Sequence, residues 1–133
     1  MRDIIQSSED ELMIKQDLFG KFSHVLIISA EVHGNDLAVN YVFFNSFAQA
    51  NLKNANFKNA SLWHANFYSA DLANADLSGA DLSGADLSGA DLSGADLSNA
   101  NLEGTNLQYA ILDNAILTNA NLKCINHPIC NSD

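Results

Sequence analysis

From Ala50 to Cys124 the chain is fifteen consecutive blocks of five residues, ANLKN ANFKN ASLWH ANFYS ADLAN ADLSG ADLSG ADLSG ADLSG ADLSN ANLEG TNLQY AILDN AILTN ANLKC. Position one is Ala in every block except the one opened by Thr105. Position three is always Leu or Phe, and position two is Asn or Asp in twelve blocks. A fixed internal period signals stacked units. A period of five suits neither a helix, which repeats near 3.6 residues, nor a strand, which repeats every two. It suits a chain that turns a corner every five residues. Four blocks then close a square coil whose sides are short extended segments. Positions one and three point inward, and the other three point out. Ala fits where neighbouring sides crowd, and Leu or Phe fills the middle. Asn, Asp, Ser and Gly at the outer positions suit tight turns, by bonding to backbone or by tolerating positive φ.

The pattern A-[DN]-[LF]-x-x, as in Ala75-Asp76-Leu77-Ser78-Gly79, resembles the pentapeptide-repeat family over well over half of the chain. The resemblance implies an all-β solenoid, a right-handed quadrilateral β-helix, and the handedness comes from the resemblance alone. Stacked coils should rise by about 4.8 Å each, so fifteen blocks make nearly four coils and a rod roughly 18 Å tall. Stability in such a solenoid is mostly nearest-neighbour, and its ends need covers.

At 133 residues the chain is one domain's worth, with a formal charge of −10. That charge argues against direct binding to a nucleic-acid backbone, which needs Lys and Arg, and against anionic membrane surfaces. No apolar run approaches the ~20 residues that span a bilayer. Met1-Arg2-Asp3-Ile4-Ile5-Gln6 lacks a signal-peptide core, so a cytoplasmic location is expected. Two cysteines do not make a disulfide scaffold.

The expected division has four parts. Residues 1–29 form an N-terminal helix and strand cap. Ser8-Glu9-Asp10-Glu11 reads as a capping box, Leu12, Ile14, Leu18, Phe19 and Phe22 give an apolar face, and Gly20 ends the helix. His24 to Val32 is β-branched and apolar and reads as a strand. Counting back by fives from Leu52 meets Phe47, Val42, Leu37, Val32, Ile27 and Phe22, all apolar. A degenerate first coil is therefore expected over 30–49, the rival being an ordinary strand and loop that caps the rod. The β-helix follows over 50–124, and a C-terminal tail or cap over 125–133.

Residues twenty apart should lie one above the other. Phe43 then falls beside Trp63 and Phe44 beside His64, with Tyr68 on the next face, an aromatic patch near the N-terminal end. An N-terminal helix lying over it is the favoured reading, since apolar patches of this size are rarely left bare. The sharper alternative is a partner site. At the other end Tyr109, Ile111 and Ile116 interrupt the polar exterior. A tail that folds back as a cap explains them, and a homodimer by end-to-end packing is the alternative.

Between residues 70 and 122 stand eight acids and no Lys or Arg. Six of them, Asp71, Asp76, Asp81, Asp86, Asp91 and Asp96, hold position two of successive blocks and wind around all four sides. In the plain reading each is a turn former on a solvated face. In the other, the rod imitates a nucleic-acid duplex. This stretch makes roughly 13 Å of rod at strand spacing. Duplex DNA carries about seven or eight phosphates over that length. The resemblance supports the idea only so far. Some family members are DNA mimics that bind type II topoisomerases such as gyrase, but those are longer rods that dimerise through an added C-terminal element. Calcium is not favoured, because it needs six to eight converging oxygens and stacked Asp pairs offer two at a time.

Cys124-Ile125-Asn126-His127-Pro128-Ile129-Cys130 is the remaining constellation. A closed zinc site wants four ligands and this offers three. A disulfide between Cys124 and Cys130 is sterically easy, because Pro128 favours a turn, and some members of the resembled family have a disulfide-bracketed end. A reducing cytoplasm opposes it. The order of preference is disulfide or paired thiols, then separate thiols, then metal.

No catalytic residue, cofactor or metal is assigned. The four His are scattered, no Gly-rich phosphate loop or H-E-x-x-H is present, and the six Asp are too alike for separate acid and base roles. A non-catalytic structural or protein-interaction solenoid with an unidentified protein partner is the expected function, with the acidic DNA mimic as the alternative.

Overall fold

The computed structural model describes residues 46–131 in full and the backbone of two strands, β1 (Leu26–His33) and β2 (Asp36–Phe43). The helix expected over the first twenty-two residues lies outside the described residues.

Five-residue blocks wind into a four-sided rod. Position-two residues pair in parallel with those twenty positions on, in four columns. Face I carries Asn51, Asp71, Asp91 and Ile111, and face II carries Asn56, Asp76, Asp96 and Ile116. Face III carries Ser61, Asp81, Asn101 and Asn121, and face IV carries Ser46, Asn66, Asp86 and Asn106. The pairing is repetitive. Asp71 N–H donates to the Ala50 carbonyl at 2.9 Å, and the Asp71 carbonyl accepts from Leu52 N–H at 2.7 Å. Every side uses its backbone this way, so the coils hold each other as strands do in a parallel sheet.

Corners are made by positions four and five. Ala55 N–H donates to the Leu52 carbonyl at 3.1 Å, closing a four-residue turn, and the residue at position five, Asn54, has φ 61°. Positive φ at the third turn residue is the type II requirement, which Gly and Asn meet most easily. Eleven blocks of the repeat end in Gly or Asn. The side chain at position two secures the same corner: Asp91 Oδ1 accepts Ser93 N–H at 2.9 Å, and Asp76 Oδ1 accepts Ser78 N–H at 3.0 Å.

Inward positions are filled without exception through the middle of the rod. Ala55, Leu62, Leu77, Leu87 and Leu97 are all at most 1% exposed. The N-terminal coil is packed with rings. Phe47 stacks on Phe67 at 5.0 Å, and Phe57, from the opposite face, meets each edge-on at 5.8 Å. Thr105, the one departure from Ala, is fully buried, and its hydroxyl donates to the Leu82 carbonyl at 2.7 Å.

The first coil expected over 30–49 is corrected in most of its length. Strand β1 pairs with β2 antiparallel, with Ala30 opposite Val39 and Val32 opposite Leu37. A coil would instead pair these residues in parallel with those twenty positions on. Two β-branched runs separated by Gly34-Asn35 are a hairpin sequence, and local antiparallel pairing needs no four-sided closure. Residues 46–49 do belong to the rod: Ser46 pairs with Asn66, and Phe47 is buried. The rod also runs on past Cys124, since Ile125 pairs with Asn106, one position short of the twenty-residue register.

Candidate interaction surface

The outer positions expected to matter fall into three zones. Near the N-terminal end, Trp63 lies on face III and His64 at the corner between faces III and IV, their rings 5.5 Å apart and edge-on. Tyr68 lies on face IV. Trp63 and Tyr68 are each about half exposed. Phe43 closes the hairpin opposite Leu26, and Phe44 lies outside the described residues. Lys53 pairs with Asp71 at 3.5 Å, across one coil of face I.

In the middle, the six Asp do not make one uniform field. On faces I and II they stack acid on acid, Asp71 under Asp91 and Asp76 under Asp96. On faces III and IV an amide follows. Asn101 Nδ2 donates to Asp81 Oδ1 at 3.2 Å, and Asn106 Nδ2 donates to Asp86 Oδ1 at 3.3 Å. The amide ladder continues from Asn121 to Asn101 at 2.9 Å and from Asn126 to Asn106 at 3.0 Å. These asparagines went unnoticed in the sequence, although the stacking rule that aligned the Asp aligns them too. Hydrogen bonding also sets the ionisation of Asp91 and Asp96. The Ser93 hydroxyl and amide hold the Asp91 carboxyl below its ordinary range, against a smaller opposing push from burial. Asp96 is held below its ordinary range in the same way by the Ser98 hydroxyl and amide, the amide donating to Oδ1 at 2.9 Å.

At the C-terminal end, Ile111 tops the face I column above Asp91, and Ile116 tops face II above Asp96. Tyr109 stands at the corner between faces IV and I with φ 60° and is 82% exposed. Ile125, which sequence reasoning missed, extends the apolar group onto face IV and is half exposed. Cys124 and Cys130 are joined by a disulfide with their Cα atoms 5.0 Å apart. Inside that loop Cys130 N–H donates to the His127 carbonyl at 3.0 Å, and beyond it Asn131 N–H donates to the Leu122 carbonyl at 2.7 Å. Ile129 and Cys130 pack against the core. The tail thus crosses the end of the rod above faces III and IV.

The pentapeptide repeats family model matches residues 46–84 and 85–123, which together make up more than half of the chain. The chain belongs to the pentapeptide repeat family. Membership makes the four-sided rod a right-handed β-helix solenoid. Three solved pentapeptide repeat proteins are similar. One from the Arabidopsis thaliana thylakoid lumen is 39% identical over 58% of this chain and 57% of its own, with a TM-score of 0.42. One from Nostoc is 41% identical over 55% and 64%, with a TM-score of 0.34. A second Nostoc protein, involved in heterocyst differentiation regulation, is 41% identical over 56% and 40%, with a TM-score of 0.26. The match spans less than two thirds of each of these relatives. No curated protein matches. Among the described residues of this pentapeptide repeat protein, no helix is long and apolar enough to cross a membrane.

Proposed function

We propose that this pentapeptide repeat protein is a non-catalytic interaction solenoid that engages another protein through the departures from its repeat. The observation that carries this reading is the contrast between interior and exterior. Every inward position of the middle coils is filled by Ala, Leu or Thr at most 1% exposed, so the chemistry available to a partner is all on the outer faces. A substrate site wants a concave pocket with convergent polar groups, and a filled square coil is its opposite. Large apolar side chains gather instead at the two ends, Trp63 and Tyr68 at one and Tyr109, Ile111, Ile116 and Ile125 at the other. Aromatic side chains that are half exposed are typical anchors of protein interfaces.

The test is affinity capture from the source organism with the intact chain, beside Trp63→Ser/Tyr68→Ser and Ile111→Asp/Ile116→Asp variants. A protein retained by the intact chain and lost by one variant supports the reading. Equal recovery by all three chains, or none, ends it. The topoisomerase-directed DNA mimic predicts something different, namely that the acids of faces I and II displace duplex DNA from the enzyme. The amides above Asp81 and Asp86 weaken that reading, because two faces in four then alternate acid with amide. Unaltered DNA supercoiling at large protein excess excludes it. A cytoplasmic location belongs to the proposal as well, and the Cys124–Cys130 bridge opposes it, since disulfides persist mainly in oxidising compartments.

A further inference from the structure

We propose that Cys130 Sγ is a thiol-exchange site, at which attack by a thiolate from solvent opens the Cys124–Cys130 bridge and releases the C-terminal tail. The two sulfurs are not equivalent. Position five of each block stands at a corner, and no position-five residue from Asn54 to Asn119 is buried. Cys124 ends its block in the same place, yet it is only 5% exposed. The last block omits the corner turn. Ala115 and Ala120 each donate N–H to the position-three carbonyl of the block before, and no such bond closes the block that ends at Cys124. The chain therefore reaches face IV one residue early. Ile125 takes position two, pairing with Asn106 and donating its N–H to the Thr105 carbonyl at 2.9 Å. Cys124 is thereby shifted to position one, the inward place that Ala65, Ala85 and Thr105 hold in the coils below.

Cys130 lies on the other side of the bridge and is partly exposed. A short turn holds it there. Ile129 N–H donates to Nδ1 of His127 at 3.3 Å, and Cys130 N–H donates to the His127 carbonyl at 3.0 Å. Thiol–disulfide exchange depends on access to the sulfur that is struck. The core shields Cys124, so the open approach is to Cys130 Sγ. The incoming sulfur bonds to Cys130 Sγ as the bond between the two cysteine sulfurs breaks. The electron pair leaves on Cys124 Sγ, which takes back from solvent the proton that the attacking thiol lost. The resulting thiol has an acceptor in the Leu122 carbonyl, 3.5 Å from Cys124 Sγ. With a monothiol such as glutathione the product is a mixed disulfide on Cys130. With a dithiol, the second thiolate attacks the dithiol's own first sulfur and Cys130 leaves as a thiolate that is then protonated. Two electrons have then passed from the dithiol to the bridge.

The coils do not need this bridge. It spans six positions at one end of a rod whose coils are already joined by their backbones, and each coil depends mainly on its neighbours. Its local effect is to hold the tail. Ile129 and Cys130 pack against the core, and Asn131 N–H donates to the Leu122 carbonyl at 2.7 Å. Once the bridge opens, the Cys124 thiol competes for that same carbonyl. The chain stays fixed as far as Asn126, through the bonds of Ile125 and Asn126 to face IV. Release from residue 127 onward uncovers the top of face III, where Ala120 and Leu122 are only partly buried even with the tail in place. The exchange thereby sets how much apolar surface the C-terminal zone offers a partner, a consequence that rests on the interaction-solenoid reading. In a reducing compartment, where disulfides are usually transient, catalytic or redox-sensing, a bridge with one open sulfur can be opened and closed.

The test uses the full chain purified without reductant. It is mixed with glutathione, quenched at early times with acid, and alkylated with N-ethylmaleimide under mildly acidic denaturing conditions. Fragment masses of the 124–133 peptide then place the glutathione. It is expected on Cys130, with the maleimide on Cys124, and the reverse arrangement should be rarer by roughly tenfold or more. In urea the preference should vanish, because both sulfurs are then open. In the glutathione adduct the Asn131 amide should exchange with deuterium faster than in the bridged chain, while Leu72 and Leu77 stay protected. Glutathione chiefly on Cys124, an even split in the folded chain, a preference that survives in urea, or a chain purified without any bridge overturns the proposal. An adduct on Cys130 with unchanged Asn131 exchange overturns it as well, because the bridge then does not hold the tail. The exchange is read without a partner, so its failure leaves the interaction reading standing.

Discussion

His64 occupies the space into which a side chain on Gly84, one coil above it at the same corner, would project. A Cβ built on Gly84 would lie 2.5 Å from Nδ1 of the imidazole, and Gly84 has φ +66°. Glycine is thus required there twice, for its backbone and for its neighbour. Gly84→Ala should destabilise the protein by about 1–3 kcal/mol, the range for a non-glycine residue in a strained backbone region. His64→Ala in the same chain should recover the steric part and leave the conformational part. Thermal unfolding of the two variants and the double variant measures both. Equal losses in single and double variants would mean that the imidazole simply swings away.

The amide ladder distinguishes faces III and IV from faces I and II. Asn101 donates to Asp81, accepts from Asn121 and accepts Glu103 N–H at 3.2 Å. Asn101→Asp keeps the acceptor for Glu103 but removes the donor to Asp81 and sets acid on acid. It should cost about 1 kcal/mol, the net worth of an ordinary hydrogen bond, and added salt should return part of it. Asp76→Asn on face II should be neutral or stabilising, because it relieves the stack beneath Asp96 and keeps an oxygen for Ser78 N–H. Urea unfolding at low and high salt gives both values. A loss at Asp76→Asn equal to that at Asn101→Asp would sink the distinction between faces.

The square coil, its inward positions and its twenty-residue stacking were legible in the sequence because each block repeats the same physical requirement. The count by fives placed Phe47 correctly in the core. The same count extended the coil through Leu37 and Val42, where β1 and β2 form a hairpin instead. Apolar residues are so frequent between Val25 and Phe44 that a spacing of five is met cheaply there, and Gly34-Asn35 was the better signal. The Asn ladder was equally available from stacking, but amides draw less notice than charges. How the tail covers the end was not legible. It depends on the one-residue slip that pairs Ile125 with Asn106, and no repeat encodes a slip.

Acid should loosen the rod through the hydrogen bonds that hold Asp91 and Asp96 charged. The folded Asp91 carboxyl lies below its ordinary range because the Ser93 hydroxyl and amide favour the anion. A depressed folded value means stability that is present above the unfolded carboxyl's range, near pH 4, and lost as the pH falls through the folded value. Melting temperature should therefore fall as the pH drops below about 4. Asp91→Asn, which keeps an acceptor for Ser93 N–H but does not titrate, should show a shallower fall. An identical pH profile in the variant would remove Asp91 from the account.

Reduction of the Cys124–Cys130 bridge should unfasten the end before it affects the middle. The bridge closes a loop of six residues' separation, and loop-closure entropy for so short a loop is worth about 2 kcal/mol. A solenoid spends that loss locally, because each coil contacts only its neighbours. A dithiol reductant should thus speed hydrogen exchange at Leu107, Ile125 and Asn131, whose backbone bonds the tail makes or covers, and leave Leu72 and Leu77 protected. Cys124→Ser/Cys130→Ser should reproduce the pattern without reductant. Mass measurement of the alkylated chain, with and without reduction, shows whether the bridge is present in the protein as isolated. Uniform acceleration along the rod would mean that the tail governs global rather than end stability.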